Sequence, residues 1–215
     1  MTRILVADDH DLVRMGIVRM LSDIKEFEVV GEACSGEEAV RLARELQPDI
    51  ILMDVRMPGI GGLEATRKVL SASENTRIIA VTSVSDDLFP ERLMKAGASG
   101  YVTKGAGFEE IVAAINTVKC GSLYMSPSIA QQLALRTISP NEASPFEPLS
   151  ERELQTCIMI ATGKRVQDIA DSFCVSSKTI NTYRYRIFEK LNVNSDVELA
   201  LLAVKHKLLD LENLS

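Results

Sequence analysis

Tryptophan is missing from this chain, and aromatic residues of every kind make up only 5% of it. A core with so few rings must rely on aliphatic side chains, and the hydrophobic fraction of 46% is ordinary for a globular protein. Cys34, Cys120, Cys157 and Cys174 are scattered, with no C-x-x-C pair. That argues against a disulfide-stapled scaffold and points to free thiols in a reducing cytoplasm. The two histidines, His10 and His206, are too far apart in sequence to suggest a metal site. No apolar run reaches the length needed to span a bilayer, so no membrane insertion is expected. Ile4–Ala7 is too short for the core of a signal peptide and runs straight into acids. Positive charge is also scarce, the net charge being −6, but the deficit is uneven. Residues 1–120 hold 14 Lys+Arg against 19 Asp+Glu, whereas residues 149–215 hold 9 of each. Within that neutral part, Ser177–Lys190 carries Lys178, Arg184, Arg186 and Lys190 against Glu189 alone. A local cationic helix says more about a nucleic-acid partner than the whole-chain charge does.

What is present begins with Ile50-Ile-Leu-Met53, bounded by Asp49 and by Pro58-Gly59. The run is too short for a lone helix and reads as a strand buried on both faces of a parallel sheet. Asp54 then falls where the strand meets the loop, at the edge where open α/β sheets bind ligands. Taken alone, it is equally a cap for the following turn or a reactive carboxylate. A second apolar strand, Arg3–Ala7, also delivers acid at its end, as Asp8 and Asp9. Those two acids could simply favour the dipole of the helix at Asp11–Leu21. If the strands are neighbours, however, three carboxylates converge and need a cation between them, and an all-oxygen set suits Mg²⁺. Two further strands end in Thr82 and, after Gly100–Thr103, in Lys104.

Acid pair, acid, hydroxyl and lysine at successive strand ends, over roughly the first 120 residues, resemble the receiver domain of bacterial two-component response regulators. The resemblance implies that Asp54 is the phospho-acceptor. It implies that Asp8, Asp9 and Asp54, with the main-chain carbonyl of Arg56, hold Mg²⁺, and that Thr82 and Lys104 bind the phosphoryl oxygens. Tyr101 is read either as a core ring or, by the resemblance, as a rotamer reporting on Thr82. Gly105 stands where many receivers have proline.

Strand and helix patterns alternate through residues 1–120, which predicts a doubly wound, five-stranded parallel sheet of flavodoxin-like type. Helices are expected at Gly36–Leu46, Leu63–Leu70, Asp86–Ala96 and Phe108–Lys119. Residues 121–148 are expected to be a linker with one helix at 126–136, followed by a Pro- and Ser-rich tether at Ser139–Pro148. Residues 149–215 read as four helices. Ser150 and Glu153 form a capping box; the next helices are Val166–Phe173, Ser177–Leu191 (capped by Ser176) and Val197–Leu208. A short helix, a tight turn and a long helix make a helix-turn-helix. Ile180, Tyr183 or Arg184, Ile187 and Leu191 mark the inner stripe of the long helix, while Lys178, Asn181, Thr182, Tyr185 and Glu189 lie on the opposite side. That outer face is either an ordinary solvated surface or one that reads base edges, with Arg184 and Arg186 suited to phosphates.

The segments LSEREL, DIA, KTIN and RIFEKL resemble the LuxR-type DNA-binding domain, so the whole chain resembles the NarL/FixJ class of response regulators. The run Asn181–Leu191 with Ser195-Asp-Val-Glu-Leu199 is similar to the GacA/UvrY/VarA group. That resemblance implies a cytoplasmic transcription regulator rather than an enzyme. Its implied partners are a membrane-bound hybrid sensor histidine kinase and promoter DNA, with small regulatory RNA genes among its targets. It also implies a homodimer formed on phosphorylation through Leu199, Leu202 and His206. Arg165-Val166-Gln167 and Tyr183 depart from that family's usual residues. The alternative from another class is a Mg²⁺-dependent aspartyl-phosphate phosphatase with a helical partner-binding module. Against it, Arg56 stands where such enzymes carry their second acid.

Overall fold

The computed structural model describes residues 1–57, 59–82, 89–138, 144–206 and 208–209, with backbone alone for 136–138. Two compact units are formed, Met1–Ser139 and Pro140–Ser215.

In the first unit the apolar runs become strands β1 (Thr2–Ala7), β2 (Phe27–Ala33), β3 (Ile50–Asp54), β4 (Arg77–Thr82), β5 (Gly100–Thr103) and β6 (Tyr124–Met125). They form one sheet in the order β2-β1-β3-β4-β5-β6, and every pairing is parallel. Between them run helices α1 (Asp11–Ser22), α2 (Gly36–Leu46), α3 (Gly61–Ala72), α4 (Phe89–Lys95) and α5 (Phe108–Lys119), and α6 (Pro127–Ile138) follows β6. Alternate residues of each strand serve opposite faces. Ile4, Val6, Ile50, Leu52 and Val81 pack against Ile17 and Leu21 of α1 and Ile111, Ile115 and Val118 of α5. Leu5, Ala7, Ile51, Met53 and Ile78 pack against Ala39 and Ala43 of α2 and Ala65 and Val69 of α3. Helices therefore cover both faces, which is why β3 is apolar without alternation. Each of its four aliphatic side chains is buried and contributes about 1.5–3 kcal/mol of transfer free energy.

The sheet has six strands where five are expected. β6 is two residues long, too short to leave a periodic signal, and it pairs Gly100 with Tyr124 and Tyr101 with Met125. The helix expected from Asp86 is seen from Phe89, since residues 83–88 lie outside the described region.

The second unit contains α7 (Glu151–Ala161), α8 (Val166–Phe173), α9 (Ser177–Leu191) and α10 (Asp196–Lys205). Ser150 and Glu153 make the reciprocal capping box at the start of α7. Ser176 accepts the amide of Thr179 to open α9. Between α8 and α9, Cys174 takes the left-handed conformation at φ 52°, which turns the chain within the three residues that join the two helices. Leu154, Cys157, Ile169, Phe173, Ile180 and Ile187 form the core.

Two expectations are corrected here. The segment Ser139–Pro148 is not all tether. Over 144–149 the chain turns, with Leu149 N–H donating to Phe146 O at 3.1 Å. Phe146 and Leu149 are buried, and the Phe146 ring stands edge-on to His206 at 6.3 Å. Leu199, expected on an exposed pairing face, is wholly buried at 0% exposure. The period was right and the side wrong. The stripe of Leu199, Leu202 and His206 lies on the side turned inward, where Leu199 and Ala203 are buried, Leu202 is half-buried and only His206 is exposed. The outward apolar residues of α10 are Val197 and Leu201, at 68% and 66% exposure.

Leu199→Ala is therefore expected to cost the second unit about 2–5 kcal/mol, read as a lower urea midpoint for that unit. Val197→Ala is expected to cost under about 0.5 kcal/mol. Equal effects from the two substitutions would contradict this facing of α10.

Candidate functional site

Parallel register brings the sequence-predicted acids together. Ala7 pairs with Met53 and Asp54 with Val81, so Asp8 leaves β1 beside the last residue of β3. Thr82 pairs with Thr103, which sets Lys104 at the same edge. Asp8 and Asp54 are each 2% exposed, while Asp9 is exposed. Lys104 Nζ stands 2.8 Å from Asp54 Oδ2 and 2.9 Å from Asp8 Oδ2, one cation bridging two buried carboxylates. The Arg56 amide donates to Asp54 Oδ1 at 3.1 Å. Gly62 allows the start of α3 to approach this point: a Cβ there would meet the Asp54 carbonyl oxygen at 2.0 Å.

Opposing electrostatic effects meet at Asp54. The Asp54 carboxyl is pushed up to about 6 on balance: burial raises it most, the Lys104 charge and hydrogen bond pull it down, the Asp8 charge raises it again and the Arg56 amide lowers it. Burial alone would lower the Lys104 ammonium, but the charges and hydrogen bonds of Asp54 and Asp8 outweigh it, and its pKa is raised. Three carboxylates with one lysine leave an excess of negative charge. The donor set is oxygen-rich, so these residues fit a hard divalent cation.

Sequence reasoning missed three participants. His10 joins the cluster: its Nδ1 lies 2.9 Å from Asp9 Oδ1, 3.2 Å from Asp8 Oδ1 and 4.0 Å from Asp54 Oδ2. Asp8, Asp9, His10 and Asp54 offer ligand atoms all within 4.8 Å of one another. The count of histidines hid this, although adjacency to the acid pair was the available signal. Arg14 Nη1 donates to the Asp8 carbonyl at 2.7 Å, and its Nε reaches Glu32 at 3.1 Å, anchoring the loop after β1. Glu37 accepts the Ile60 amide at 2.9 Å and so steadies the loop after β3. Tyr101 is wholly buried in β5, and Thr82 is buried as the last residue of β4.

In the second unit, Lys178, Thr182, Tyr185 and Arg186 are exposed on α9 and Asn181 is half-exposed, while Ile180 and Ile187 face the core. Tyr185 is 70% exposed, unusual for an aromatic residue with no internal role. Arg184 departs from expectation. Rather than projecting with Arg186, its Nε and Nη2 donate to Asp196 at 2.7 and 2.8 Å. Lys190, also on this helix, is turned to Glu153 at 2.6 Å and to the Pro148 carbonyl at 3.1 Å.

Residues 4–116 match the family of response regulator receiver domains, and residues 147–203 match the luxR family of bacterial regulatory proteins. The chain therefore belongs to the response regulators that join a receiver domain to a LuxR-type domain. Within that class it groups with the GacA and UvrY proteins. It is 60% identical to the response regulator GacA of Pseudomonas aeruginosa over 98% of this chain and 99% of that protein. It is 50% identical to the response regulator UvrY of Escherichia coli over 100% and 99%. A crystallised LuxR-family two-component response regulator from Aurantimonas superposes with a TM-score of 0.61 at 41% identity, spanning 65% of this chain and 100% of that one. RcsB of Salmonella enterica, at 22% identity and a TM-score of 0.68, spans 94% and 97% and shows the shared fold. Family membership does not favour the phosphatase alternative.

The raised Asp54 pKa has a consequence for stability. The folded chain holds this proton more tightly than the unfolded one, whose carboxyl titrates near ~3.9. Ionising Asp54 thus costs nothing at low pH, and the cost grows as pH rises through about 4 to 6. In metal-free buffer, Asp54→Asn is expected to stabilise the first unit at pH 7 by up to about 3 kcal/mol and to remove that pH dependence. Urea melts at pH 4.5 and 7 check both parts; a destabilised Asn variant at pH 7 refutes them.

Proposed function

We propose that the chain is a phosphorylation-switched transcription regulator in which Asp54 takes a phosphoryl group from a sensor histidine kinase. The observation that carries this reading is the buried Asp54 carboxylate at the sheet edge, 2.8 Å from Lys104 and beside Asp8. Phosphoryl transfer asks for positioning and charge neutralisation more than for covalent help. An Asp54 oxygen bonds to phosphorus as the bond to the donor nitrogen breaks. In this reading Asp8, Asp9 and Asp54, with the main-chain carbonyl of Arg56, hold Mg²⁺, which supplies charge neutralisation for the incoming group. Thr82 and Lys104 take phosphoryl oxygens, and Tyr101 follows the position of Thr82. No helix among the described residues is long and apolar enough to cross a membrane, in keeping with a cytoplasmic regulator.

Output in this proposal is DNA binding through α9. Asn181, Thr182 and Tyr185 touch base edges, and Lys178 and Arg186 touch phosphates. Two phosphorylated copies pair on a two-fold promoter site, and the outward Val197 and Leu201 of α10 suit that pairing better than the buried Leu199. Resemblance to the GacA and UvrY proteins supports a membrane-bound hybrid kinase as donor and small regulatory RNA genes as targets.

Acetyl phosphate with Mg²⁺ is expected to add one phosphoryl group, visible by intact mass and absent from Asp54→Asn. Asp9→Ala is expected to lose most labelling through lost Mg²⁺ affinity. Full labelling of the Asn variant would falsify the acceptor assignment. On the DNA side, Tyr185→Ala is expected to cost about 1–3 kcal/mol on a preferred duplex and to relax preference at one position, whereas Lys178→Ala weakens all duplexes alike.

A further inference from the structure

Arg184 was expected to meet DNA phosphates, and its surroundings assign it other work. Its guanidinium makes two parallel charge-assisted bonds to Asp196, Nε to Oδ1 at 2.7 Å and Nη2 to Oδ2 at 2.8 Å. Its Cζ also stands 5.0 Å from the centroid of the Phe188 ring. An exposed ion pair contributes little in general, but a forked arginine–carboxylate pair stacked on a ring is the geometry that holds a fixed direction. The two partners sit on different elements. Arg184 lies on the rim of α9, between the buried stripe of Ile180 and Ile187 and the exposed face bearing Asn181 and Tyr185. Asp196 is the first residue of α10, where its charge also suits the helix N-terminus. The chain joining them turns on Asn192 in the left-handed conformation and on the Ser195 cap.

Arg184 Nη1 keeps its N–H groups outside the fork, but swinging the guanidinium over to the DNA backbone would break both bonds to Asp196. It would also leave the Asp196 carboxylate, 49% exposed, without its counter-charge near the DNA backbone. In the clamp, that acid is neutralised and the helix is held. Lys178 and Arg186 are exposed and make no ion pair among the described residues, so they remain the cations free to meet phosphates.

We propose that Arg184 is a positioning residue for DNA readout: clamped to Asp196 and stacked on Phe188, it fixes the rotation of α9 against α10 so that Asn181, Thr182 and Tyr185 face the groove together, and it makes no phosphate contact of its own. This rests on α9 being the reading helix.

The test uses the full chain activated with Mg²⁺ and beryllofluoride. The probes are a duplex that wild-type protein enriches from a randomised pool and a scrambled duplex of equal length. Arg184→Lys keeps the charge and loses the fork; Asp196→Asn keeps the shape and loses the acceptor charge. Each is expected to lower the ratio of specific to nonspecific affinity about tenfold. The double variant is expected to add little further, and the salt slope on the scrambled duplex to stay at the wild-type value. Thermal melts confirm that the variants are folded. A phosphate contact predicts the opposite: Arg184→Lys keeps the ratio, Arg184→Ala lowers the salt slope by about one on both duplexes, and Asp196→Asn tightens nonspecific binding. That pattern overturns the proposal, as does a lowered melting temperature with an unchanged ratio, which marks a merely structural tie. Wild-type protein that enriches no duplex overturns the DNA-reading function itself, a distinct failure.

Discussion

Two carboxylates, Asp8 and Asp54, are buried side by side at one end of a sheet with a single lysine between them. Such a placement is costly, because the interior penalises charge and the two acids repel. It persists because the fold over-determines it. Parallel register fixes where β1, β3 and β5 end. Aliphatic side chains on both faces leave the strands no room to slip. Arg14 holds the carbonyl of Asp8, and Glu37 the loop after β3. The hydrophobic core thus sustains the strain at the edge, and the excess negative charge there suits a hard divalent cation.

The second unit also buries an acid beside a lysine, and the contrast is instructive. Burial would raise Glu153, but hydrogen bonds from Lys190 and from the Ser150 amide outweigh it and the pKa falls. That acid is satisfied: it closes a capping box and ties the end of α9 to the start of α7. Asp54 has an amide and a lysine too, yet it is more deeply buried and shares the lysine with Asp8, so its pKa rises. The same pairing settles the charge where hydrogen bonds outweigh burial, and leaves it disfavoured where burial and a second acid prevail.

Much of this was legible in residue order. Buried parallel strands leave unbroken apolar runs, so the ends at Asp54, Thr82 and Lys104 could be placed by reading where each run stops. Caps at Ser150 and Ser176 follow from short-range hydrogen bonding, which sequence states directly. What stayed hidden depends on tertiary facing. The period of α10 was visible, but which side of it turns inward is set by how Leu199 and Ala203 meet the rest of the domain, so Leu199 was misassigned. Arg184 and Arg186 look alike in sequence, and only the fold brings Asp196 to one of them. β6 owes its existence to the free edge of β5 and not to its own two residues. His10 was discounted by a count of histidines when its place beside two acids mattered more.

The chain that follows α5 is fastened to β5, the strand that ends just before Lys104. The Tyr124 amide donates to Ser99 O at 3.0 Å and the Ser126 amide to Tyr101 O at 2.9 Å, so β6 extends the sheet beside the buried Tyr101. The Ser126 hydroxyl, 1% exposed, donates to Glu110 of α5, and α6 begins at the next residue. Burial, followed by the nearby Glu110 charge, raises the Tyr124 phenol, which keeps it a neutral donor in this cluster. Backbone hydrogen bonding therefore continues from the strand bearing Tyr101 into the first turn of α6. A shift of the β5 backbone at Tyr101 would pull on this ladder directly, because a strand cannot move its carbonyl without moving the amide bonded to it.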